Sequence, residues 1–351
     1  MDPPRAQQRT FRRNAHVAYF QRCLRALPTA AQGHDPNRIT IAYFCLSALD
    51  LLGALDDHVA LDQRQRWADW IWSLQSPSGG FRGSPYMTTL GDHTSPPHLP
   101  STYTALMTLA VLRAPLDRLN VPGLVSFISS CQCPDGSFSP LPADDGYISA
   151  GFQNDVRMSY CASVVADVIA AGLPTQTQTE FIARCKTWEG GYASRPGVIE
   201  SQGKLLKENR LTTGGTTYCS VAALSMMGAI PEDPDASIRW LLQRQIGGFQ
   251  GRPGKLEDVC YSFWCGAAIT ILGHAGLING EADRAFLLAA QSPLGGFGKE
   301  PDDYPDPFHS YLALAALALS HQDGGLKQLD PRWNVSRETA HWLREEMIRV
   351  S

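Results

Sequence analysis

Between Gly248 and Trp264 the chain reads G-F-Q-G-R-P-G-K-L-E-D-V-C-Y-S-F-W. Two cations (Arg252, Lys255), a carboxylate (Asp258) and a thiol (Cys260) fall within nine positions, directly before an apolar run. Residues two apart point to different sides of a regular helix. In a first turn, where the backbone is only half helical, Asp258 and Cys260 can converge on one point. A thiolate and a carboxylate meeting there, with histidine supplied from elsewhere, make a zinc site with an open position. Arg252 and Lys255 suit a polyanion such as diphosphate. The same spacing also allows a plain helix N-terminus, with Asp258 as cap, Cys260 in the core and two solvated cations.

Such groups need a scaffold, and the scaffold is repetitive. Glycine turns before an aromatic recur at Gly79-Gly80-Phe81, Gly136-Ser137-Phe138, Gly190-Gly191-Tyr192, Gly247-Gly248-Phe249 and Gly295-Gly296-Phe297. Gln75, Gln132, Gln245 and Gln291 precede four of them, and the first glycines lie 57, 54, 57 and 48 residues apart. A period near 50 marks a repeat architecture. Each period holds two helical patterns. Thr40–Leu52, Ser101–Leu112, Ser159–Ala171, Thr217–Met227, Cys260–Leu272 and Ser310–Leu319 are apolar or small on all sides, so these helices are buried all round. Leu61–Gln75, Val121–Cys131, Gln178–Lys186, Asp235–Gln245, Glu281–Gln291 and Arg337–Ile348 are amphipathic. Strand signals are nearly absent. The expected fold is all-α: a closed α/α toroid of six inner and six outer helices, one domain over residues 1–351, with 1–13 a flexible tail. The inner N-termini then share one rim, and their partial positive charge favours an anionic ligand.

Composition narrows the class. Of 351 residues, 44% are hydrophobic and 18% charged, as in a globular protein with a generous core. A net charge of −4 gives no sign of nucleic-acid binding. Nine scattered cysteines, several within apolar runs, suggest reduced thiols and a cytoplasmic location. Met1–Arg13 lacks the apolar segment of a secretory signal, and no run approaches a membrane span. Three stretches fall outside the alternation: Pro85–Pro100 with Met87, His93 and His98, Pro140–Asp155 with Asp144 and Asp145, and Glu200–Thr213. Loops of this size are usually functional or disordered.

The run Arg252-Pro-Gly-Lys255-Leu-Glu-Asp258-Val-Cys260-Tyr-Ser-Phe-Trp264 resembles the signature of protein prenyltransferase β subunits. With the Gln…Gly-Gly-Phe turns, the resemblance extends from about Phe20 to Ile348. It implies a zinc enzyme that transfers an isoprenoid from its diphosphate to a cysteine thiol near a protein's C-terminus. By position, Asp258, Cys260 and His309 match the zinc ligands, with the substrate thiol completing the set. Arg252, Lys255 and Tyr261 match diphosphate-binding residues, and Arg157 an arginine of the lipid site. Gly214, Gly215, Ser262, Phe263 and Trp264 lie in the matching diphosphate and isoprenoid region, and Tyr160, Cys161 and Cys219 in the lipid wall. Core packing is the other reading of Cys161 and Cys219.

Within that family Arg38-Ile39-Thr40-Ile41-Ala42-Tyr43-Phe44 is most similar to the type I geranylgeranyl β subunits, with farnesyl and type II (Rab) subunits as alternatives. Farnesyl enzymes carry Trp where Thr40 stands, so Thr40 leaves room for one more isoprene unit, with Phe44 alongside. Lys299 takes the place of an aspartate that helps hold Mg²⁺, so Mg²⁺ is not expected to be required. Two positions depart from the family. Thr213 replaces a histidine that contacts diphosphate, a role open to Asn209 or Arg210. Phe308 precedes His309 and, with His98 and Pro100, is expected to shape the pocket for the acceptor's last residue. The resemblance implies an obligate heterodimer with a helical α subunit. Its substrates would be geranylgeranyl diphosphate and proteins ending in a CaaX motif, such as Rho-type small GTPases. A scaffold built of α/α repeats would give Asp258, Cys260 and His309 no reason to converge. A terpene cyclase would need an Asp-rich motif inside the barrel, whereas Asp144-Asp145 and Asp302-Asp303 fall in loops.

Overall fold

The six segments that are apolar on every side all form helices, and these helices close on one another. In the computed structural model the described residues are 9–27, 29–85, 96–142, 154–173, 175–197, 212–320 and 325–350. They begin with α1 (Arg13–Arg25), α2 (Arg38–Leu51), α3 (Leu55–His58), α4 (Leu61–Trp72), α5 (Leu99–Val111), α6 (Val121–Cys131) and α7 (Val156–Val168). They continue with α8 (Thr175–Arg184), α9 (Gly214–Met226), α10 (Pro234–Leu242), α11 (Val259–Ile271), α12 (Gly280–Ala289) and α13 (Pro307–Ser320). A two-residue antiparallel pair, β1 (Leu329–Asp330) and β2 (Val335–Ser336), precedes α14 (Arg337–Val350). The inner ring runs α2, α5, α7, α9, α11, α13 and back to α2. Every residue of α5 except Pro100 is buried, as a helix surrounded by helices requires.

The glycine turns set the spacing of the outer ring. Gly136 has φ +86° and Gly295 φ +89°, a backbone that favours glycine. A Cβ on Gly136 would lie 1.9 Å from the carbonyl oxygen of Thr177 in α8, and one on Gly295 2.0 Å from that of Ala15 in α1. Four of the five turns, at Gly79, Gly136, Gly190 and Gly295, thus press bare backbone on the first turn of the next outer helix, while Gly248 packs on the Phe286 ring of α12. The series ends on α1, which makes α1 the sixth outer helix in place of Arg337–Ile348. His16 of α1 fixes the joint. Its Nδ1 accepts the Gly296 N–H at 3.0 Å, and its Nε2 lies 2.9 Å from Gln291 Oε1. Burial holds its pKa down to about 4, so the ring is neutral and can both accept and donate. Residues 9–12, expected to be tail, instead run along the last turn: Arg12 N–H donates to Gln291 Oε1 at 2.9 Å, and Gln291 Nε2 to the Thr10 carbonyl at 3.1 Å.

The C-terminal segment has a different task. Asp50, buried near the end of α2, accepts hydrogen bonds from Ser336 (2.6 Å), Thr339 (2.7 Å) and Lys327 (2.9 Å). From there residues 331–334 enter the ring. Tyr43, Tyr103, Tyr160, Tyr218 and Tyr311, from five inner helices, donate their hydroxyls to the carbonyls of this segment. These tyrosines, each in the first half of its inner helix, therefore form a socket for a plug that enters from the end where the inner helices finish. At the other end five of the six inner helices are latched to the loop before the next. Ile39, Leu99, Val156, Gly214 and Val259 donate their N–H groups to Gly83, Pro140, Ser194, Gly251 and Lys299.

Candidate metal centre and the rim around it

Asp258 stands just before α11 in extended backbone, and its Oδ1 accepts the Cys260 N–H at 2.9 Å. It therefore caps the helix and also keeps its carboxylate beside the thiol. His309 comes from the first turn of α13, the neighbouring inner helix, with its Nε2 3.7 Å from Asp258 Oδ1. The ligand atoms of Asp258, Cys260 and His309 all lie within 4.8 Å of one another, a group able to hold a metal ion. Thiol, carboxylate and imidazole supply the mixed donors of a three-ligand centre. Burial, and then the Asp258 carboxylate, push the Cys260 thiol well above its ordinary pKa. A bound cation reverses that preference by stabilising the thiolate.

Asp306, which no motif had marked, completes the arrangement. Its Oδ1 accepts the His309 N–H at 2.9 Å and its Oδ2 lies 2.5 Å from His309 Nδ1. The proton is thereby held on Nδ1, and the Nε2 lone pair faces Asp258 and Cys260. Metal-ligating histidines are commonly held from behind in this way. The signal available in the sequence was Asp306-Pro307, a helix-start pair three residues before the histidine. Asp306→Asn is expected to weaken metal binding about 10–100-fold with the fold unchanged. Competition against a chelator checks this, and an unchanged affinity would remove Asp306 from the site.

Arg252 is half-buried and Lys255 exposed, in a loop pinned by the Gln250–Glu257 bridge. Tyr261 is wedged between two glycines. A Cβ would come within 2.3 Å of its ring at Gly251 and 3.0 Å at Gly214. Burial raises the Tyr261 hydroxyl above its usual pKa, and Thr213 interacts with it, so at neutral pH it is a protonated donor. Thr213 caps α9: its Oγ1 accepts the Thr216 N–H at 3.2 Å in a reciprocal box with Thr216. Gly215 leaves open space, with nothing closer than 3.7 Å to a Cβ placed there. Lys299 is exposed, and its carbonyl, bonded to the Val259 N–H, places it beside the start of α11.

One expected residue points elsewhere. Ser262 is buried and donates its hydroxyl outward to Asp283 of α12 at 2.6 Å, so it is not directed at the diphosphate region. One position further along the helix than Tyr261 turns it to the outer ring. Burial pushes the Asp283 carboxyl up to about 7, against the Ser262 hydrogen bond and with a smaller push from Glu257. An unfolded aspartate loses its proton near pH 4. Between there and about pH 7 the folded state keeps a proton the unfolded chain has lost, so stability falls as pH rises. Asp283→Asn is expected to flatten that decline and to stabilise the chain above pH 7 by a few kcal/mol, on the order of the shift it removes. Thermal midpoints from pH 5 to 8 test this.

The remaining residues fall into two groups. On α7, Arg157 is held by Asp155, with Nε 3.0 and 3.1 Å and one terminal nitrogen 2.5 Å from its oxygens. Asp155 is buried and caps α7, a positioning role the sequence did not reveal. Cys161 and Cys219 lie beside Arg157, and burial lifts Cys161 to about 12, so that thiol stays neutral. On α2 and α13, the Phe44 ring lies 5.5 Å from Phe308 and 5.8 Å from Tyr311, and Phe308 meets His309 edge-on at 4.9 Å. Thr40 shares this face of α2, one turn before Tyr43 and Phe44. Tyr218 packs on Phe263 and Trp264 at 5.2 and 5.0 Å. Tyr160 is engaged with the plug. His98 and Pro100 open α5, and burial holds His98 neutral, with its pKa down to about 4. Met87, His93, Asp144, Asp145, Asn209 and Arg210 lie outside the described residues.

Residues 11–335 match the family described as the prenyltransferase alpha-alpha toroid domain. The geranylgeranyl transferase type-1 subunit beta of Arabidopsis thaliana is 32% identical over 343 residues, covering 90% of this chain and 86% of its own. Its counterpart in Dictyostelium discoideum is 29% identical, covering 92% of this chain and 94% of its own. Among solved structures, Candida albicans protein geranylgeranyltransferase-I complexed with GGPP is similar with a TM-score of 0.86. It is 27% identical and covers 96% of this chain and 99% of its own.

Proposed function

The chain belongs to the prenyltransferase α-α toroid family, and from that premise we propose that it is the catalytic β subunit of a protein geranylgeranyltransferase type I. It transfers geranylgeranyl from geranylgeranyl diphosphate to the cysteine of a C-terminal CaaX sequence. The observation that carries this reading is the meeting of Asp258, Cys260 and Nε2 of His309, with Asp306 behind the ring, at the rim that also bears Arg252, Lys255 and Lys299. Asp258, Cys260 and His309 would hold a zinc ion, which when bound would supply the positive centre that keeps an acceptor thiol ionised at neutral pH. The thiolate attacks C1 of the isoprenoid, a C–S bond forms, and the C–O bond to diphosphate breaks. Arg252, Lys255, the Tyr261 hydroxyl and Arg157 stabilise charge on the departing oxygens. Thr213 offers one hydroxyl there, and the open backbone at Gly215 lets the ligand approach. The walls of Phe44, Cys161, Cys219 and Trp264 exclude water from the chain.

Lys299 takes the part of a metal cation beside the diphosphate. Lys299→Asp is expected to lower Mg²⁺-free turnover by roughly tenfold or more, with part restored by millimolar Mg²⁺. No change in either condition would count against the lysine. A helical α subunit is the proposed partner. The exposed apolar side chains of Trp188, Ile246, Leu256 and Leu294, on turns between the outer and inner helices, are available to it. No helix among the described residues is long and apolar enough to cross a membrane, and all nine cysteines are free, which supports the cytoplasm as its location.

The test is prenyl transfer by this chain co-expressed with an α subunit, without added Mg²⁺. Geranylgeranyl and farnesyl diphosphate are offered in parallel, with peptides ending Cys-a-a-Leu and Cys-a-a-Ser. Zinc-dependent geranylgeranyl transfer to the Leu peptide is the expected result. Farnesyl transfer to the Ser peptide would keep the family and overturn the subtype.

A further inference from the structure

A groove between α1, α2 and α4, about 480 Å³ in volume, takes no part in the reaction above. Leu24, Ile41, Trp67 and Trp70 give it apolar walls, Arg25, His34, Asp35 and Arg38 give it a charged side, and two thiols line it, Cys23 of α1 and Cys45 of α2. The two helices pack directly on one another. Cys23 is half-buried and reached from the groove, whereas Cys45 is fully buried behind it. Both thiols line the same groove from helices that pack together. Cys45 is the largest cause holding Cys23 down to about 7, assisted by Tyr19 and Arg22 and opposed by burial and Asp306. Cys23, with burial, pushes Cys45 well above its ordinary value. At neutral pH this places a partly ionised nucleophile and a protonated thiol on the same groove. Low-pKa, accessible cysteines beside a second thiol are where peroxide oxidation concentrates.

We propose that Cys23 and Cys45 form an oxidisable pair in which Cys23 reacts with an apolar alkyl hydroperoxide seated in the groove and Cys45 closes a disulfide from α1 to α2. The Cys23 thiolate attacks the outer peroxide oxygen. The O–O bond breaks, Cys23 becomes a sulfenic acid, and the alkoxide leaves and takes up a proton as the alcohol. The Cys45 sulfur then displaces that hydroxyl, and its own proton leaves with it as water. Two thiols are oxidised and one hydroperoxide is reduced. The bond ties the sixth outer helix, which holds the Gly295-Gly296 turn through His16, to the first inner helix. The apolar walls favour an alkyl hydroperoxide over hydrogen peroxide.

The experiment treats the full chain, assembled with its partner subunit, with a small excess of cumene hydroperoxide, then alkylates and maps the peptides by mass spectrometry. A Cys23–Cys45 linked peptide, two hydrogens lighter and reversed by reductant, is the expected result, forming more slowly with hydrogen peroxide. In Cys45→Ala, Cys23 is expected to stop at a sulfenic acid trapped by dimedone. In Cys23→Ser neither product forms, and prenyl transfer is unchanged. Full alkylation of both thiols after treatment overturns the proposal, as does oxidation of Cys23 with no link to Cys45 in the unmodified chain. The unmodified chain alone decides the matter if Cys45→Ala does not fold.

Discussion

Cys260→Ala is expected to leave the purified chain without zinc and to lower turnover by about 10³-fold or more, with helix content intact. The size follows from two losses. A free thiol with a pKa near 8.5 is only about 3% ionised at pH 7, so restoring the proton to the acceptor costs about 30-fold. The rest is positioning, since an acceptor no longer held beside the diphosphate reacts as a free solute. The fold is spared for local reasons. Cys260 donates its backbone N–H to the capping Asp258, and alanine keeps that donor, so the cap of α11 survives the substitution. Losing one buried sulfur costs about 1 kcal/mol, within the ordinary range of single substitutions. Metal analysis, turnover and thermal unfolding of the variant check this together. Zinc and turnover both persisting would sink the metal assignment. Zinc lost with turnover kept would separate the metal from the chemistry.

The second large effect is a change of substrate. Thr40→Trp is expected to reverse the isoprenoid preference, lowering kcat/KM for geranylgeranyl relative to farnesyl diphosphate by up to about 10³. The fourth isoprene unit adds five carbons, and burying each contributes about 0.8 kcal/mol, near 4 kcal/mol in all. A difference of that size in transition-state binding is about three powers of ten. Thr40 is half-buried in the first turn of α2, on the face that carries Tyr43 and Phe44. An indole there projects toward the space that Phe44 borders with Phe308. Parallel assays with both diphosphates give the ratio. An unchanged ratio, with the variant folded, would move the length limit away from α2.

Much of this protein is legible in its sequence because repetition is a local signal. The Gln…Gly-Gly-aromatic turns and the six runs apolar on every side announce a closed ring of buried helices, and the structure has that ring. The convergence of Asp258 and Cys260 was legible for the same reason, since a capping residue and the second residue of a helix are fixed neighbours. His309 needed the ring to close before it could face them, and it was found through resemblance, not spacing.

Other features depend on contacts between distant segments. An amphipathic pattern says that a helix has an apolar face but not what covers it. Arg337–Ile348 therefore looked like an outer helix, whereas α14 follows the segment that plugs one end of the ring, and α1, nearly three hundred residues before the Gly295 turn, takes the outer place. The same limit applies to single side chains. That Asp306 grips His309, that Ser262 turns outward to Asp283, and that Cys23 and Cys45 share one groove follow from helix rotation and packing. By itself the sequence determined twelve of the helices, though not α1 or α3, and which of those twelve are buried on all sides. Only the tertiary structure decided which helix closes the ring, what fills its far end and which groups meet, because those outcomes belong to burial shared between segments far apart in the chain.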